Sequence, residues 1–401
     1  MRFPFYPTRP GPGSQAAGWP FPFAALVAVA TLGLAACLAN GQEGVSPPPD
    51  PATAPLATAP TQAPATPTPV PTPAFLEPDQ VPPLTLEGIF PPRDLSPLHL
   101  DPSRLRTLIA TGDVIPARYT DVTIRSLGDD FLYPVAMTKE ITSAADLTVV
   151  NLEAPLVADC PYHSSGFTFC GRPGFIAALR AAGVDLATLE NNHISNYGPQ
   201  GVAETISHLE SAGIAWADRK SSAVLKVRGL RFGFLAFNGV GEFIDRRAVA
   251  DRIRALRPDV DVLAVALHWG AEYVSLPRPA PGIAPDDPIA IAHLAIDAGA
   301  DLIIGNHPHW VQAIEPYQGK LIAYAHGNFI FDQMWSYKTR LGVIGRYTFY
   351  DHLLIRAEFI PVRIENYAQP VPMQGEEAQA VLDGMREASE RLRDQASAVA
   401  R

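Results

Sequence analysis

The chain has 401 residues, a formal net charge of −10 and 41 prolines that crowd into its first quarter. That acidic balance, without a basic stripe, argues against a nucleic-acid partner, and the length admits one large domain or two smaller ones. Three cysteines are too few for a disulfide scaffold, so their positions carry more information than their number.

Arg2 and Arg9 precede an apolar run from about Phe21 to Ala36, which ends Leu34-Ala35-Ala36-Cys37. A positive leader, a short apolar core and small residues before a cut site read as an export signal over 1–36, and the run is slightly short for a membrane span. Leu-Ala-Ala-Cys resembles the bacterial lipobox, which implies that Cys37 is lipidated and becomes the mature N-terminus. The alternative is an uncleaved N-terminal anchor. Both place the remainder outside the cytoplasm, held at the outer face of the cytoplasmic membrane. Residues 37–84 are dominated by Pro, Thr and Ala and have little to bury, so they are expected to form an extended, polyproline-like tether. About 40 residues at roughly 3.1 Å each reach on the order of 120 Å.

From about Leu84 the composition becomes that of a folded domain, expected over 85–372. Apolar runs at Leu105–Ala110, Leu147–Val150, Val184–Leu189, Val260–Leu267, Leu302–Ile304 and Leu321–Ala325 read as strands. Between them, Phe175–Ala182, Pro199–Ala212, Arg246–Leu256 and Pro288–Ala298 read as helices, three of them followed by a capping glycine at 183, 213 and 299. The alternation predicts an α/β fold. The tail, 373–401, places Val381, Leu382, Met385, Ala388 and Leu392 at helical spacing, which predicts an amphipathic helix docked on its own domain.

Each of the six strands delivers Asp, Asn, Glu or His at its carboxyl end: Asp113, Asn151 and Glu153, Asn192 and His193, His268 and Glu272, His307 and His309, and His326 with Asn328. That edge is where α/β folds bind ligands, and a set so poor in Lys and Arg predicts a cation site. In Gly305-Asn306-His307-Pro308-His309, a turn after the strand is needed to make both imidazoles converge. Imidazole, carboxylate and amide oxygen without thiolate suit Mn, Fe or Zn, as one or two ions. The remaining histidines, His163, His208 and His293, read as surface or helix-face residues. There is no phosphate-cradling Gly-Lys loop and no Gly-x-Ser-x-Gly elbow, which disfavours nucleotide-driven and serine-hydrolase chemistry.

The ordered motifs Thr111-Gly112-Asp113-Val114 with Arg118, Asn151-Leu152-Glu153, Asn191-Asn192-His193 with Tyr197-Gly198, His268-Trp269-Gly270-x-Glu272, Asp297 to Asp301, Gly305-x-His307-Pro308-His309, and Tyr324 with Gly327-Asn328-Phe329 resemble the CapA-type poly-γ-glutamate capsule proteins, the PGA_cap family. The match runs over roughly residues 105 to 365. The family looks like a divergent branch of the calcineurin-like metallophosphoesterases, which implies a sandwich of two central β-sheets flanked by helices. The resemblance implies that Asp113, Glu153 (or Asn151), Asn192, His268, His307 and His309 hold the metal. It further implies that His193 acts as general acid, with Arg118 clamping an anionic substrate group or pairing with Glu153. Ile115 departs from the expected Asp-x-His, which leaves a full two-metal site in question. Glu190 and Asn196 replace the usual Ala and Asp, and His326 adds an imidazole beside the site, a candidate substitute for the missing ligand.

Cys160 and Cys170 lie just after Asn151-Leu152-Glu153; in an exported protein they read as a disulfide closing a loop that walls the cleft, the alternative being two free buried thiols. The function expected is metal-assisted hydrolysis of phosphoester or polymer bonds in capsule synthesis, with an anionic polymer or phosphoester as substrate and capsule-synthesis membrane proteins as partners. The competing reading is a non-enzymatic polymer-binding component of assembly or export.

Overall fold

The computed structural model describes residues 75–399. The export signal, the lipobox cysteine and most of the tether lie outside the described residues. Packing begins at Leu76, ahead of the expected boundary at 85: the Leu76 N–H donates to the His99 carbonyl, the Tyr350 hydroxyl donates to the Leu76 carbonyl, and Val81 and Leu84 are buried.

Fourteen strands and seven α-helices lie among the described residues. The strands are β1 Leu105–Val114, β2 Leu147–Leu152, β3 Leu186–Thr188, β4 Ala215–Ala217, β5 Ala223–Val227, β6 Leu230–Asn238 and β7 Val262–His268. They continue with β8 Leu302–Asn306, β9 Ile314–Tyr317, β10 Lys320–Ala323, β11 Asn328–Ile330, β12 Leu341–Tyr350, β13 Leu353–Glu365 and β14 Gln369–Pro372. The helices are α1 Tyr119–Ser126, α2 Lys139–Thr142, α3 Ile176–Ala181, α4 Gly198–Ser211, α5 Arg246–Leu256, α6 Pro288–Ala298 and α7 Gly375–Val399. No helix among the described residues is long and apolar enough to cross a membrane.

The strands form two sheets, one ordered β14-β13-β12-β1-β2-β3-β4 with β11 also on β1, the other β5-β6-β7-β8-β10-β9. Within the first, β1, β2, β3 and β4 run parallel; within the second, β6, β7, β8 and β10 do. The strand period of two explains the layering. In β1, Leu108 and Ala110 face the other sheet while Ile109 faces helices; in β7, Val262 and Ala264 face inward while Leu263 and Val265 face outward. Both faces are buried, and so these strands read as unbroken apolar runs. Outside the second sheet lie α5 and α6, joined by Ala388 and Leu392 of α7; outside the first lie α1, α3 and α4. The expected two-sheet α/β sandwich flanked by helices is the architecture observed.

The six strands read from sequence are present; β1 runs four residues further at its carboxyl end, β2 and β8 two and β7 one, so that Asp113, Asn151 and His268 sit within the strands, while β3 and β10 end one and two residues earlier. Gly183, Gly213 and Gly299 adopt positive φ after their helices, as the capping argument requires. The antiparallel strands β5, β9, β12, β13 and β14 were not anticipated, and neither were β4, β6 and β11, which pair in parallel. In α7, Met385, Ala388 and Leu392 are buried, and the Ile314 N–H donates to Ser389 Oγ at 2.9 Å.

One close approach governs the site end of the second sheet. A Cβ at Gly305 would overlap the Tyr324 carbonyl oxygen, because the chain leaving β10, the parallel neighbour of β8, closes in on its backbone there. Gly305→Ala is expected to lower stability by about 3 kcal/mol or more, since backbone rather than a side chain must move. Thermal or denaturant unfolding checks this; a change within about 0.5 kcal/mol would contradict the close packing.

Candidate metal centre

Parallel register brings the site together. Asp113 of β1 lies in register with Asn151 of β2 on one side and Asn328 of β11 on the other, and His268 of β7 with Asn306 of β8. Adjacent strand ends thus deliver their polar residues to a common edge. After β8 the chain does what an extended segment cannot: His307 and His309 both take positive φ, 94° and 55°. Non-glycine residues in that region are strained, and such strain concentrates where a site demands it. The turn lets two imidazoles of alternate residues face the same space.

Asp113, Glu153, His268, His307 and His309 are all buried. Their ligand-type atoms fall into two groups, Glu153 with His307 and His309, and Asp113 with Glu153 and His268; within each the atoms lie within 4.8 Å of one another. Glu153 belongs to both and stands at the centre.

The hydrogen bonds leave the ligand atoms short of partners. Asn151 Nδ2 donates to Asp113 Oδ1 at 2.8 Å, and Asn191 Nδ2 donates to Asn151 Oδ1 at 3.1 Å, which fixes the amide. His268 Nε2 lies 2.8 Å from Asn192 Oδ1 and 3.3 Å from Glu153 Oε1. His309 Nδ1 lies 2.9 Å from Asn328 Oδ1 and 3.1 Å from Asp113 Oδ2. Both ring nitrogens of His307 are buried without a hydrogen-bond partner, and Asp113 Oδ2 and Glu153 Oε1, though near His309 and His268, are buried without a well-aligned one. Buried polar atoms are normally satisfied, so such atoms on three potential ligands within one cluster fit a metal ion.

The ionisation equilibria agree. Burial, reinforced by the charge of Asp113, pushes the Glu153 carboxyl well above its ordinary value. Burial also pushes Asp113 upward, but His309, His268 and Asn151 outweigh it and hold that carboxyl below its usual range. Burial lowers His309, yet Asp113, Glu272 and Asn328 together raise it. Burial takes His268 down to about 3, so its contact with Glu153 is not an ion pair, and carries His307 well down, aided by the neighbouring imidazoles. The cluster therefore holds protons where a cation would sit.

His193, the expected acid, is lowered to about 4 by burial against the opposing pull of Asn196 and the Phe167 carbonyl. Arg118 does not pair with Glu153. It forks onto Asp332, whose carboxylate also accepts from the Tyr119 N–H at 3.0 Å, and it lies between the Phe169 and Phe331 rings at 4.9 and 5.0 Å. A clamp on substrate must compete with Asp332. His326 does not replace the missing ligand: its Nδ1 lies 3.2 Å from the Gly305 carbonyl oxygen and its Nε2 2.7 Å from the Tyr347 hydroxyl. Ile115 is buried in an apolar cluster with Ala117, Ala154, Phe169, Phe331 and Ile364, so nothing substitutes for an imidazole there. Glu190 pairs with Arg219 on the wall of a cavity of about 550 Å³ that Asn191 and Asn192 also line. Cys160 and Cys170 form a disulfide, which removes them as metal ligands beside His163. Asn328 was read among the strand-end residues and in a motif but given no role; its Oδ1 contact with His309 shows that it orients a ligand.

The family model of "Bacterial capsule synthesis protein PGA_cap" matches residues 107–333, which span every residue of this cluster. The chain belongs to that family. It is 26% identical over 303 residues to the capsule biosynthesis protein CapA of Bacillus anthracis, covering 67% of this chain and 69% of that one. To the PGA biosynthesis protein CapA of Bacillus subtilis strain 168 it is 27% identical over 286 residues, 66% of this chain and 72% of the other. It is 33% identical over 224 residues to a probable polyglutamine synthesis accessory protein of Mycobacterium tuberculosis H37Rv, covering 47% of this chain and 57% of that protein.

A metal entering this cluster has to displace the protons of Glu153 and His309. Both groups have raised values, so they are protonated below those values and become ligands as pH rises through them. Affinity for a divalent cation is therefore expected to increase with pH. Titration calorimetry in buffers of different ionisation enthalpy should show roughly one to two protons released per ion near pH 7. Binding without proton release would contradict the assignment.

Proposed function

We propose that this chain is a metal-dependent hydrolase of capsule-polymer synthesis, acting on phosphoester or polymer bonds, with poly-γ-glutamate as the candidate polymer. It would be exported, lipid-anchored through Cys37 at the outer face of the cytoplasmic membrane, and would work beside membrane proteins of capsule synthesis. The observation that carries the reaction class is the buried, partner-poor cluster of Asp113, Glu153, His268, His307 and His309. Family membership and the names of the relatives support the polymer, and the disulfide supports an oxidising compartment.

Those five residues, with the Asn192 amide oxygen, would hold the ion; the donor set favours Mn, Fe or Zn. When bound, a divalent ion supplies Lewis acidity, polarising a phosphoryl or carbonyl oxygen and acidifying water. Asn151 and Asn328 orient Asp113 and His309. His193 handles the proton of the attacking or leaving group. The cavity beside Asn191 and Asn192 gives a substrate group room next to the cluster.

A non-enzymatic, polymer-binding role is the second reading, and buried Ile115 is the observation that favours it, since it leaves one expected ligand missing. Metal analysis of the purified protein with assays on a generic phosphodiester and on poly-γ-glutamate separates the two. The hydrolase reading expects a bound transition metal and turnover of one substrate. It also expects His309→Ala to lose metal and to reduce kcat/KM by more than about 100-fold. Polymer binding without turnover would establish the second reading, and wild-type activity in His309→Ala would overturn the site.

A further inference from the structure

The disulfide loop makes a contact that a simple cleft wall would not need. Cys160 and Cys170 are both buried, and the base of the loop is pinned: the Gly171 N–H donates to the Pro155 carbonyl at 2.9 Å and the Val157 N–H to the Gly171 carbonyl at 3.0 Å. Its interior residue Phe169, next to Cys170, is buried as well, whereas Tyr162 and Phe167 project into solvent. The Phe169 N–H donates to Asn196 Oδ1 at 2.7 Å, and the same oxygen lies 3.1 Å from His193 Nδ1. The Phe169 ring packs on the His193 imidazole with centroids 4.3 Å apart. The same ring lies 4.9 Å from the Arg118 guanidinium, whose Nη1 donates to the Gly166 carbonyl of the same loop at 3.1 Å.

These contacts settle a chemical ambiguity. An Asn amide can present either its oxygen or its NH₂, and a histidine either tautomer. A backbone N–H can only donate, so the Asn196 atom facing Phe169 is the oxygen. An oxygen already accepting from Phe169 can bond His193 Nδ1 only if that nitrogen carries the hydrogen. On this contact the neutral imidazole has its lone pair on Nε2; the Phe167 carbonyl, which also draws on the ring, is the acceptor that competes for the hydrogen.

We propose that the Cys160–Cys170 loop and Asn196 are a positioning device for His193, fixing the Nδ1–H tautomer and the plane of the ring. Phe169 acts twice, through its backbone N–H on Asn196 and through its ring on the imidazole. An aspartate at 196 would supply the same acceptor with a charge; here the neutral amide does the work, and the loop holds it in place. On the hydrolase reading, which this consequence rests on, His193 takes a proton before it gives one. The attacking water loses its proton to Nε2, the new bond to the substrate centre forms as the leaving-group bond breaks, and the same proton passes to the leaving atom, restoring the neutral ring.

The test is nitrogen NMR of the full chain labelled with ¹⁵N-histidine near pH 7, without metal or substrate, the His193 signals being assigned by their loss in His193→Gln. The wild type is expected to show the Nδ1–H pattern. Asn196→Leu, and separately Cys160→Ser with Cys170→Ser, are expected to move His193 toward the Nε2–H form or an exchange average. Asn196→Asp keeps both acceptor bonds and is expected to keep the Nδ1–H form. With a substrate in hand, the Leu and Ser variants should lose roughly ten- to a hundredfold in kcat with KM nearly unchanged. An Nε2–H pattern in the wild type, or one pattern shared by the wild type and both loosened variants, would overturn the proposal. Should a variant fail to fold, the wild-type tautomer still decides. Because the tautomer is read without turnover, failure of the hydrolase reading would leave this result standing, and the reverse also holds.

Discussion

Two buried carboxylates, Asp113 and Glu153, share a space with three buried imidazoles, and the rest of the molecule is arranged around that charge problem. Removing a carboxylate from water costs several kcal/mol unless a partner compensates it. The protein alone compensates incompletely: His309 and Asn151 serve Asp113, Glu153 keeps its proton, and His307 has no hydrogen-bond partner on either nitrogen. A cation would satisfy all of these groups at once. The cluster is thus at odds with itself until it is loaded, which is the expected condition of a site built for a metal rather than for stability.

The backbone accepts constraints to hold this arrangement. Parallel pairing of β1 with β2 and β11, and of β7 with β8, sets Asp113, Asn151, Asn328 and His268 at strand ends whose register is locked by apolar residues buried on both faces. The left-handed conformations of His307 and His309, and the bare backbone of Gly305 against Tyr324, allow the last loop to turn inward immediately after β8. A shift of one residue in any of these pairings would send the ligands to the opposite face of the sheet.

Much of this was legible in the chain because the central parallel strands are buried on both sides and read as plain apolar runs ending in ligand-type residues. The helices 246–256 and 288–298 were fully legible, bounded by Asp at the N-cap and, for the second, by a capping glycine. The antiparallel strands were not read. In β13 buried and half-exposed residues alternate along much of its length, a period-two signal that was present but is interrupted where both neighbours are buried. Side-chain pairings were less legible still. Arg118 was expected at Glu153 or on substrate, but spacing could not reveal that Asp332, over two hundred residues away, reaches the same guanidinium. His326 looked like a spare ligand because it follows a strand; its ring instead turns between the sheets toward Tyr347, and sequence does not specify that rotation.

Ile115 marks the boundary between what the cluster supports and what it lacks. Its apolar surroundings are complete, so the departure is built into the packing, and the remaining ligands converge on Glu153 without it. The most direct measurement is anomalous diffraction from crystals grown with Mn²⁺ or Zn²⁺, with data collected on both sides of the metal edge. The account predicts an anomalous peak among Asp113, Glu153, His268, His307 and His309, with ligand distances of about 2.0–2.2 Å to the imidazole nitrogens and carboxylate oxygens. A peak bound elsewhere, or none at this cluster under saturating metal, would contradict it.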